Sequence, residues 1–300
     1  MKNKITVFTP TYNRAYILKS LFESLKRQNF TDFEWLIIDD GSTDDTEEMI
    51  SKWIKEQKGF SIRYYRQENG GKCRAINKGV ELARGELFLV VDSDDFLTDD
   101  ALKKIDEWEQ CLPKEQKYCG VSGNLGTTAN ATSNSLFDER YYDGTLLDRY
   151  HLVDGERAFA FYTEIHRQYK YPVFENEKFM TEAVVYNRMA HDGYKMRFFN
   201  DIICVYSYQE DGLTKAGNSL FLGNPRGYGL WLKEKVEYLE KRKCRKFRFW
   251  YAYYCEMSFC ENKYRLSKKQ IASYIDAPIV IIYFISILHK LKIIIKRNNK

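Results

Sequence analysis

The sequence predicts an α/β domain on a mostly parallel central sheet, followed by a helical, basic tail. Two observations carry the first part. Through residues 1–110 strand-like and helix-like stretches alternate, the pattern of strands joined by crossover helices. Three strand-like runs also pass directly into polar clusters, and the carboxyl ends of parallel strands are where open α/β sheets take ligands. The tail rests on charge. Residues 241–300 hold 15 Lys/Arg against 3 Asp/Glu, so +12, whereas the preceding 240 residues hold 32 against 39, so −7.

The elements follow in order. Ile5-Thr6-Val7-Phe8 is the first strand and runs into Thr9-Pro10-Thr11-Tyr12-Asn13-Arg14. Leu18, Leu21, Phe22 and Leu25 fall at helical spacing. Glu34-Trp35-Leu36-Ile37-Ile38 runs into Asp39-Asp40-Gly41-Ser42, and Met49, Ile50, Trp53 and Ile54 mark the next helix, with Ser42 or Thr43 as its expected cap. A short strand is expected over 62–66 and a helix over 72–83, with Gly85 as its left-handed terminator. Leu87-Phe88-Leu89-Val90-Val91 is a buried strand ending in Asp92-Ser93-Asp94-Asp95, and Leu102, Ile105, Trp108 and Leu112 mark a fourth helix. Residues 120–134 are rich in Gly, Ser, Thr and Asn and read as a loop-containing segment. A helix over 177–189, a strand within 196–208 and two aromatic-rich helices near 228–241 and 245–263 complete the chain.

Composition sets the outer limits. Seven scattered cysteines without a CxxC pair argue for reduced thiols in a cytosolic setting, and no zinc-ligand spacing is present. The chain runs straight into a strand, so no secretory leader is expected. The tail's apolar run, residues 277–288, is shorter than the roughly 20 residues needed to span a bilayer. Lys290, Lys292, Lys296 and Arg297 follow it, the combination an interfacial helix uses on an anionic membrane. Packing on the protein's own core is the alternative, and nucleic acid ranks last.

The carboxylates 92–95 are hard oxygen ligands suited to Mg²⁺ or Mn²⁺ held together with substrate phosphates. Gly70-Gly71-Lys72 lacks the spacing of a phosphate loop, although its glycines permit close backbone approach and Lys72 or Arg74 can reach a diphosphate.

Taken together, Thr9-Pro10-Thr11-Tyr12-Asn13-Arg14, Asp39-Asp40-Gly41-Ser42, residues 68–79 and Asp92-Ser93-Asp94 resemble the family 2 glycosyltransferases over about residues 4–215. The resemblance implies a glycosyltransferase-A fold, with a nucleotide-binding half over 1–110, an acceptor half over 111–215 and a helical extension over 216–300. It implies that Asp40, Tyr12 and Pro10 hold the nucleoside, that Lys72 meets the diphosphate, that Asp92 meets ribose or metal-bound water, and that Asp94 binds the divalent ion. The family's Ala-Arg-Asn triplet is Ala75-Ile76-Asn77 here, so its Arg is missing. Residues 177–188 resemble the family's Glu-Asp helix with Glu182 in place of the Asp base, six residues before Arg188; Glu177 and Glu175 are the alternatives. Asp211-Gly212-Leu213-Thr214 resembles a recurring element near the end of such domains.

The expected reaction is inverting transfer of a hexose or amino-hexose from a nucleotide sugar, UDP-linked by expectation, to a hydroxyl of a saccharide or lipid-linked acceptor in cell-surface polysaccharide synthesis. It is placed at the inner face of the cytoplasmic membrane, with no nucleic acid partner. The rivals are a nucleotidyltransferase, which would carry a Gly-rich phosphate loop after the first strand, and a degenerate nucleotide-sugar-binding module.

Overall fold

The computed structural model describes residues 3–207, 209, 213–239 and 244–298, with backbone alone for 213, 214 and 293–298. Tyr208, Asp211 and Gly212, with residues 240 and 241 of the expected helix, lie outside the described residues, as do the side chains of Lys296 and Arg297.

The strands β1 (Ile5–Thr11), β2 (Phe33–Asp39), β3 (Ser61–Arg66) and β4 (Leu87–Val90) pair in parallel in the order β3-β2-β1-β4. Helices α1 (Lys19–Lys26), α2 (Thr46–Glu56) and α3 (Lys72–Leu82) connect them. After β4 come β5 (Phe96–Leu97), α4 (Ala101–Gln110), β6 (Tyr118–Gly126), β7 (Tyr141–Thr145), β8 (Arg157–Tyr162), α5 (Thr163–His166), α6 (Ala183–His191) and β9 (Lys195–Val205). The sheet continues β4-β8-β6-β9-β5, with β7 also paired to β9. It is therefore parallel through the first half and mixed beyond, since β8 runs against both β4 and β6 while β6 and β9 are parallel.

Side-chain alternation sorts the layers. Val7, Trp35, Ile37, Leu89 and Val91 point to one face, where Leu21, Leu25, Ile50, Trp53, Ile105 and Trp108 of α1, α2 and α4 complete one core. Phe22 stacks on Trp35 and Trp53 with ring centroids 6.0 and 4.4 Å apart. α3 covers the opposite face so closely that a Cβ on Gly79 would lie 2.2 Å from the Phe8 ring. Asp40 and Asp92, one position on from Asp39 and Val91, consequently belong to the α3 face.

Pro10 fixes where β4 ends. Thr11 gives its carbonyl to Asp40, so Pro10 faces β4, and the last bond there is from Val91 N to Phe8 O. Proline has no N–H to extend that ladder. The chain leaves the sheet at Asp92.

Four expectations need correction. Gly85 is not a left-handed terminator: a Cβ there would lie 2.2 Å from the Thr6 nitrogen, so close passage against β1 is what requires glycine. Neither Ser42 nor Thr43 caps α2; Asp44 Oδ1 accepts from the Thr46 N–H at 3.2 Å, and Ser42 Oγ instead accepts from Asn13 N. Residues 120–126 are not loop but most of β6, buried along its whole length. Small polar residues there fit between β8 and β9 and give no alternating signal. The expected helix over 177–189 begins only at Ala183.

The chain divides into two compact units, Met1–Tyr171 with Arg188–Asp211, and Pro172–Asn187 with Gly212–Lys300. The sequence boundary at 215 left Pro172–Asn187 with the first. In the second unit α7 (Leu213–Ala216) and α8 (Asn218–Gly223) precede α9 (Pro225–Leu239), α10 (Arg245–Phe259), α11 (Lys268–Tyr274) and α12 (Ile279–Asn298). Glu177 ties 172–187 to this unit: its carboxylate accepts from Arg226 N at 2.8 Å and Gly227 N at 2.9 Å, in the first turn of α9. A carboxylate there satisfies orphan amides and the positive end of the helix dipole.

α12 has two apolar faces. Ile282, Ile285 and Ser286 are buried, the isoleucines in a core with Tyr228, Phe249, Tyr253 and Met257. Val280 (71% exposed), Tyr283, Phe284, Ile287 and Leu291 form a row on the other side. Among the described residues no helix is long and apolar enough to cross a membrane.

Candidate active site

The polar clusters after β1, β2 and β4 meet at one edge of the parallel sheet. The loops after β1 and β2 lock together: Asn13, in the left-handed region at φ 53°, accepts from Thr43 N at 2.7 Å and gives its own N–H to Ser42 Oγ at 2.9 Å. Beneath them Asp39 is fully buried, accepting from Ser42 N at 2.7 Å and from the Tyr64 hydroxyl at 2.6 Å. That bond and burial hold the Tyr64 phenol protonated, raising its pKa far above the ordinary value.

Asp40 carries three bonds from the chain itself. Oδ1 accepts from Gln67 Nε2 at 2.7 Å and Gly70 N at 2.9 Å, and Oδ2 accepts from Gly71 N at 2.7 Å. It therefore fixes the entry to α3, where Gly71 takes φ 94°, a conformation open to glycine at no steric cost. One lone pair of Oδ2 is left for a nucleoside hydroxyl or N–H. Pro10 is buried in β1, and Tyr12 stands beyond it at 47% exposure.

Lys72, the first residue of α3, sets its ammonium 2.7 Å from both carboxylate oxygens of Asp92. Arg74, the alternative for the diphosphate, gives Nη1 to the Gly70 carbonyl at 2.6 Å. Ile76, where the resembling family has Arg, is fully buried.

Asp94 and Asp95 differ from every carboxylate so far. Neither receives a side-chain hydrogen bond from the described residues. Burial, then the charge of Asp92, raises the pKa of Asp94, with Arg14 and Lys72 opposing. Burial with Asp92 and Asp94 pushes Asp95 up to about 8. Sequence reasoning assigned no role to Arg14, whose side chain reaches the field of Asp94 and gives Nη1 to the Tyr16 hydroxyl at 2.5 Å.

A cluster of partly buried carboxylates repelling one another fits a divalent cation. Among the described residues no three His, Cys, Asp or Glu side chains converge as a ready-made cage.

Glu182 lies in the second unit, directly before α6, and its Oε2 accepts from the Tyr186 hydroxyl at 2.6 Å. The alternative Glu177 is engaged by α9, as described.

Residues 6–109 match the family described as Glycosyl transferase family 2. The chain carries a family 2 glycosyltransferase domain. The match contains the whole edge described above, from Pro10 to Asp95. Glycosyltransferase GlyG of Streptococcus pneumoniae is 32% identical over 138 residues, covering 46% of this chain and 44% of that protein. The poly(ribitol-phosphate) β-N-acetylglucosaminyltransferase TarS of Staphylococcus aureus is 34% identical over 151 residues, covering 48% and 25%. The chain thus spans less than half the length of these curated relatives. In structure, TarS 1–349 in complex with UDP-GlcNAc superposes over 96% of this chain and 92% of its own with a TM-score of 0.61 at 17% identity. The mannosyltransferase PcManGT of Pyrobaculum calidifontis, solved with GDP-Man and Mn²⁺, covers 80% and 62% with a TM-score of 0.51 at 19% identity. Both place the family 2 domain within the glycosyltransferase-A fold.

Proposed function

We propose that the protein transfers a hexose or amino-hexose from a nucleotide sugar, UDP-linked in the first instance, to a hydroxyl of a saccharide or lipid-linked acceptor in cell-surface polysaccharide synthesis. One observation supports the reading: Asp40, Lys72, Asp92 and Asp94 share one edge of the parallel sheet, where open α/β sheets take ligands. Pro10, Tyr12 and Asp40 hold the nucleoside. Lys72 moves between the Asp92 carboxylate and the diphosphate, and the N-terminus of α3 adds its dipole. Asp94, with Asp92 through ribose or water, holds Mn²⁺ or Mg²⁺, which when bound supplies Lewis-acid stabilisation of the leaving diphosphate. Glu182 takes the acceptor proton, oriented by Tyr186, and the new bond forms on the face opposite the leaving group, inverting the anomeric centre.

The test is incubation with a panel of nucleotide sugars plus Mn²⁺, reading released nucleotide. Release from one UDP-sugar above the rest, lost with chelator, supports the reading. No release from any member overturns it, and release undiminished by chelator overturns the metal.

The acceptor's location follows from α12. We propose that the outward row Val280, Tyr283, Phe284, Ile287 and Leu291 lies on the anionic inner face of the cytoplasmic membrane, to which the +12 charge of residues 241–300 is complementary. Truncation is a poor test, because Ile282 and Ile285 complete the helical core. Substituting Val280→Glu together with Ile287→Glu alters the two most exposed positions of the row. The intact chain should co-sediment with phosphatidylglycerol vesicles more than with phosphatidylcholine ones, and the double variant should not, at unchanged melting temperature. Equal sedimentation of both proteins, or a dimer of the intact chain that the double variant loses, would sink the proposal.

A further inference from the structure

Two buried arginines of the first unit differ in what meets their side chains. Arg197 on β9 is buried, and its side-on fork is filled: Nε meets Asp143 Oδ1 and Nη2 meets Oδ2, each at 2.7 Å. Arg157 at the start of β8 is 8% exposed, and the same fork is empty. Its Nη1 donates to the Phe199 carbonyl at 3.0 Å, while the buried Nε and Nη2 have no hydrogen-bond partner among the described residues. A guanidinium stays charged, so burial leaves these two parallel donors without an acceptor rather than neutralising them. Burial lowers the Arg157 pKa only to about 10.

The place of this empty fork matters. β4 and β8 pair as far as Leu89 opposite Ala160, and Arg157 lies three residues further along β8, toward the end of β4 from which Asp92 follows. Val91 and Ala158 both belong to the core on the α1 face. Arg157, one position before Ala158 on β8, therefore faces the other side of the sheet. Asn124 pairs with Arg157, and Ser122, two residues back on β6, has a buried hydroxyl that also lacks a partner among the described residues. The fork is roofed by Phe137, whose ring lies 5.0 Å from the guanidinium carbon. Phe137 belongs to the loop 127–140, pinned through two 2.9 Å bonds between its backbone and the Asn200 side chain.

We propose that Arg157 is an oxyanion subsite for the acceptor, taking a phosphate diester or a hexuronate carboxylate side-on through Nε and Nη2 once the loop carrying Phe137 lifts. Ser122 adds a hydroxyl donor. Parallel N–H groups match the two oxygens of such an anion, as Asp143 on Arg197 illustrates within the same molecule. The proposal rests on the reading of residues 111–215 as the acceptor half and narrows its substrates to anionic saccharides or polyol phosphates.

The test uses the full chain labelled with ¹⁵N-arginine and saturated with UDP and Mn²⁺, so that phosphate cannot report from the donor side. The Arg157 Nε–H resonance is assigned by its loss in R157K. A polyol-phosphate oligomer, a hexuronate oligosaccharide and a neutral oligosaccharide of equal length are titrated separately. A saturable shift with either anionic oligomer and none with the neutral one is expected, and the responding oligomer identifies the anion. Phe137→Ala should lower the concentration at half-shift. With the responding oligomer as acceptor, R157K should raise KM about tenfold with kcat little changed, as loss of a bidentate contact in binding requires. An Nε–H unmoved by all three, or moved equally by the neutral one, overturns the proposal. So does an R157K defect confined to kcat and tracking a lower melting temperature, the signature of a structural arginine. If the wild type transfers no sugar yet the resonance shifts with an anion, the functional reading fails and the subsite stands.

Discussion

The carboxylates after β2 and those after β4 stand at neighbouring strand ends in opposite states. Asp39 and Asp40 receive five hydrogen bonds from the protein between them. Asp94 and Asp95 receive none from another side chain among the described residues, and burial with mutual repulsion raises both pKa values. Hydrogen bonds to the charged form stabilise a carboxylate, whereas desolvation beside like charge destabilises it. The first pair is thus held by the scaffold, with one lone pair of Asp40 left for the proposed nucleoside, and the second carries the charge that the proposed cation would neutralise. Identical residue types in identical topological positions divide between structure and chemistry according to what their oxygens meet.

The largest effect that sharpens this contrast is expected from Asp94→Asn. Transfer should fall by about 10⁴-fold, the scale of several kcal/mol of lost Lewis-acid stabilisation. Melting temperature without metal should stay level or rise, because one buried negative charge leaves a repelling cluster. Calorimetry should show Mn²⁺-dependent UDP binding lost. A variant that keeps its rate, or one that melts several degrees lower, would place Asp94 with the scaffold.

Glu182 is an intermediate case, accepting from the Tyr186 hydroxyl while standing directly before α6. Glu182→Gln should slow the chemical step about 10²–10⁴-fold with donor affinity little changed. If UDP-sugar affinity collapses while single-turnover chemistry does not, Glu182 belongs to the donor side.

For the scaffold pair the effect should move from rate to stability. Asp39→Asn keeps the shape but puts an amide where Ser42 N–H and the Tyr64 hydroxyl both need acceptors. A buried donor left unmet costs about 1–3 kcal/mol. Urea unfolding should register that loss, and Tyr64→Phe should lose less. A midpoint unchanged in Asp39→Asn would break the comparison at its stronger end.

How much of this could be read from sequence follows the same division. The strand ends were legible because apolar runs of parallel strands stop abruptly at Thr9, Asp39 and Asp92, and the helices between them keep a 3.6-residue apolar period. The different fates of Asp40 and Asp94 were not, since bonds from Gly70 and Gly71 join residues 30 apart or more. β6 was hidden because burial on both faces by small polar residues abolishes alternation. Glu177 read as a helical residue because its partners, Arg226 and Gly227, come 49 and 50 residues later. The apolar run of α12 offered a membrane face or a core face as alternatives, and the helix has one packed side and one exposed side. The empty fork of Arg157 had no sequence signal, since an unfilled donor is visible only against its surroundings.

The smallest expected effect belongs to Asp44, an exposed carboxylate of the scaffold type. It accepts from Ala15 N at 3.0 Å and from the Thr46 N–H and hydroxyl at 3.2 and 2.5 Å, so it both holds the first residue of α2 and ties the loop after β1. Those bonds, against an opposing desolvation cost, hold its pKa below 3.8. The folded state therefore binds fewer protons than the unfolded one in that range, and stability rises with pH. The contribution is complete above the unfolded pKa and disappears as pH falls through the folded value. Solvent exposure screens it, so Asp44→Ala should cost about 0.5–1 kcal/mol at neutral pH, in the range of a lost helix cap. Urea midpoints of wild type and variant at pH 7 should differ by that amount and converge toward pH 3. A gap that persists in acid would mean that Asp44 acts through packing rather than charge, and the division between carboxylates held by donors and carboxylates awaiting a cation would not extend to the surface.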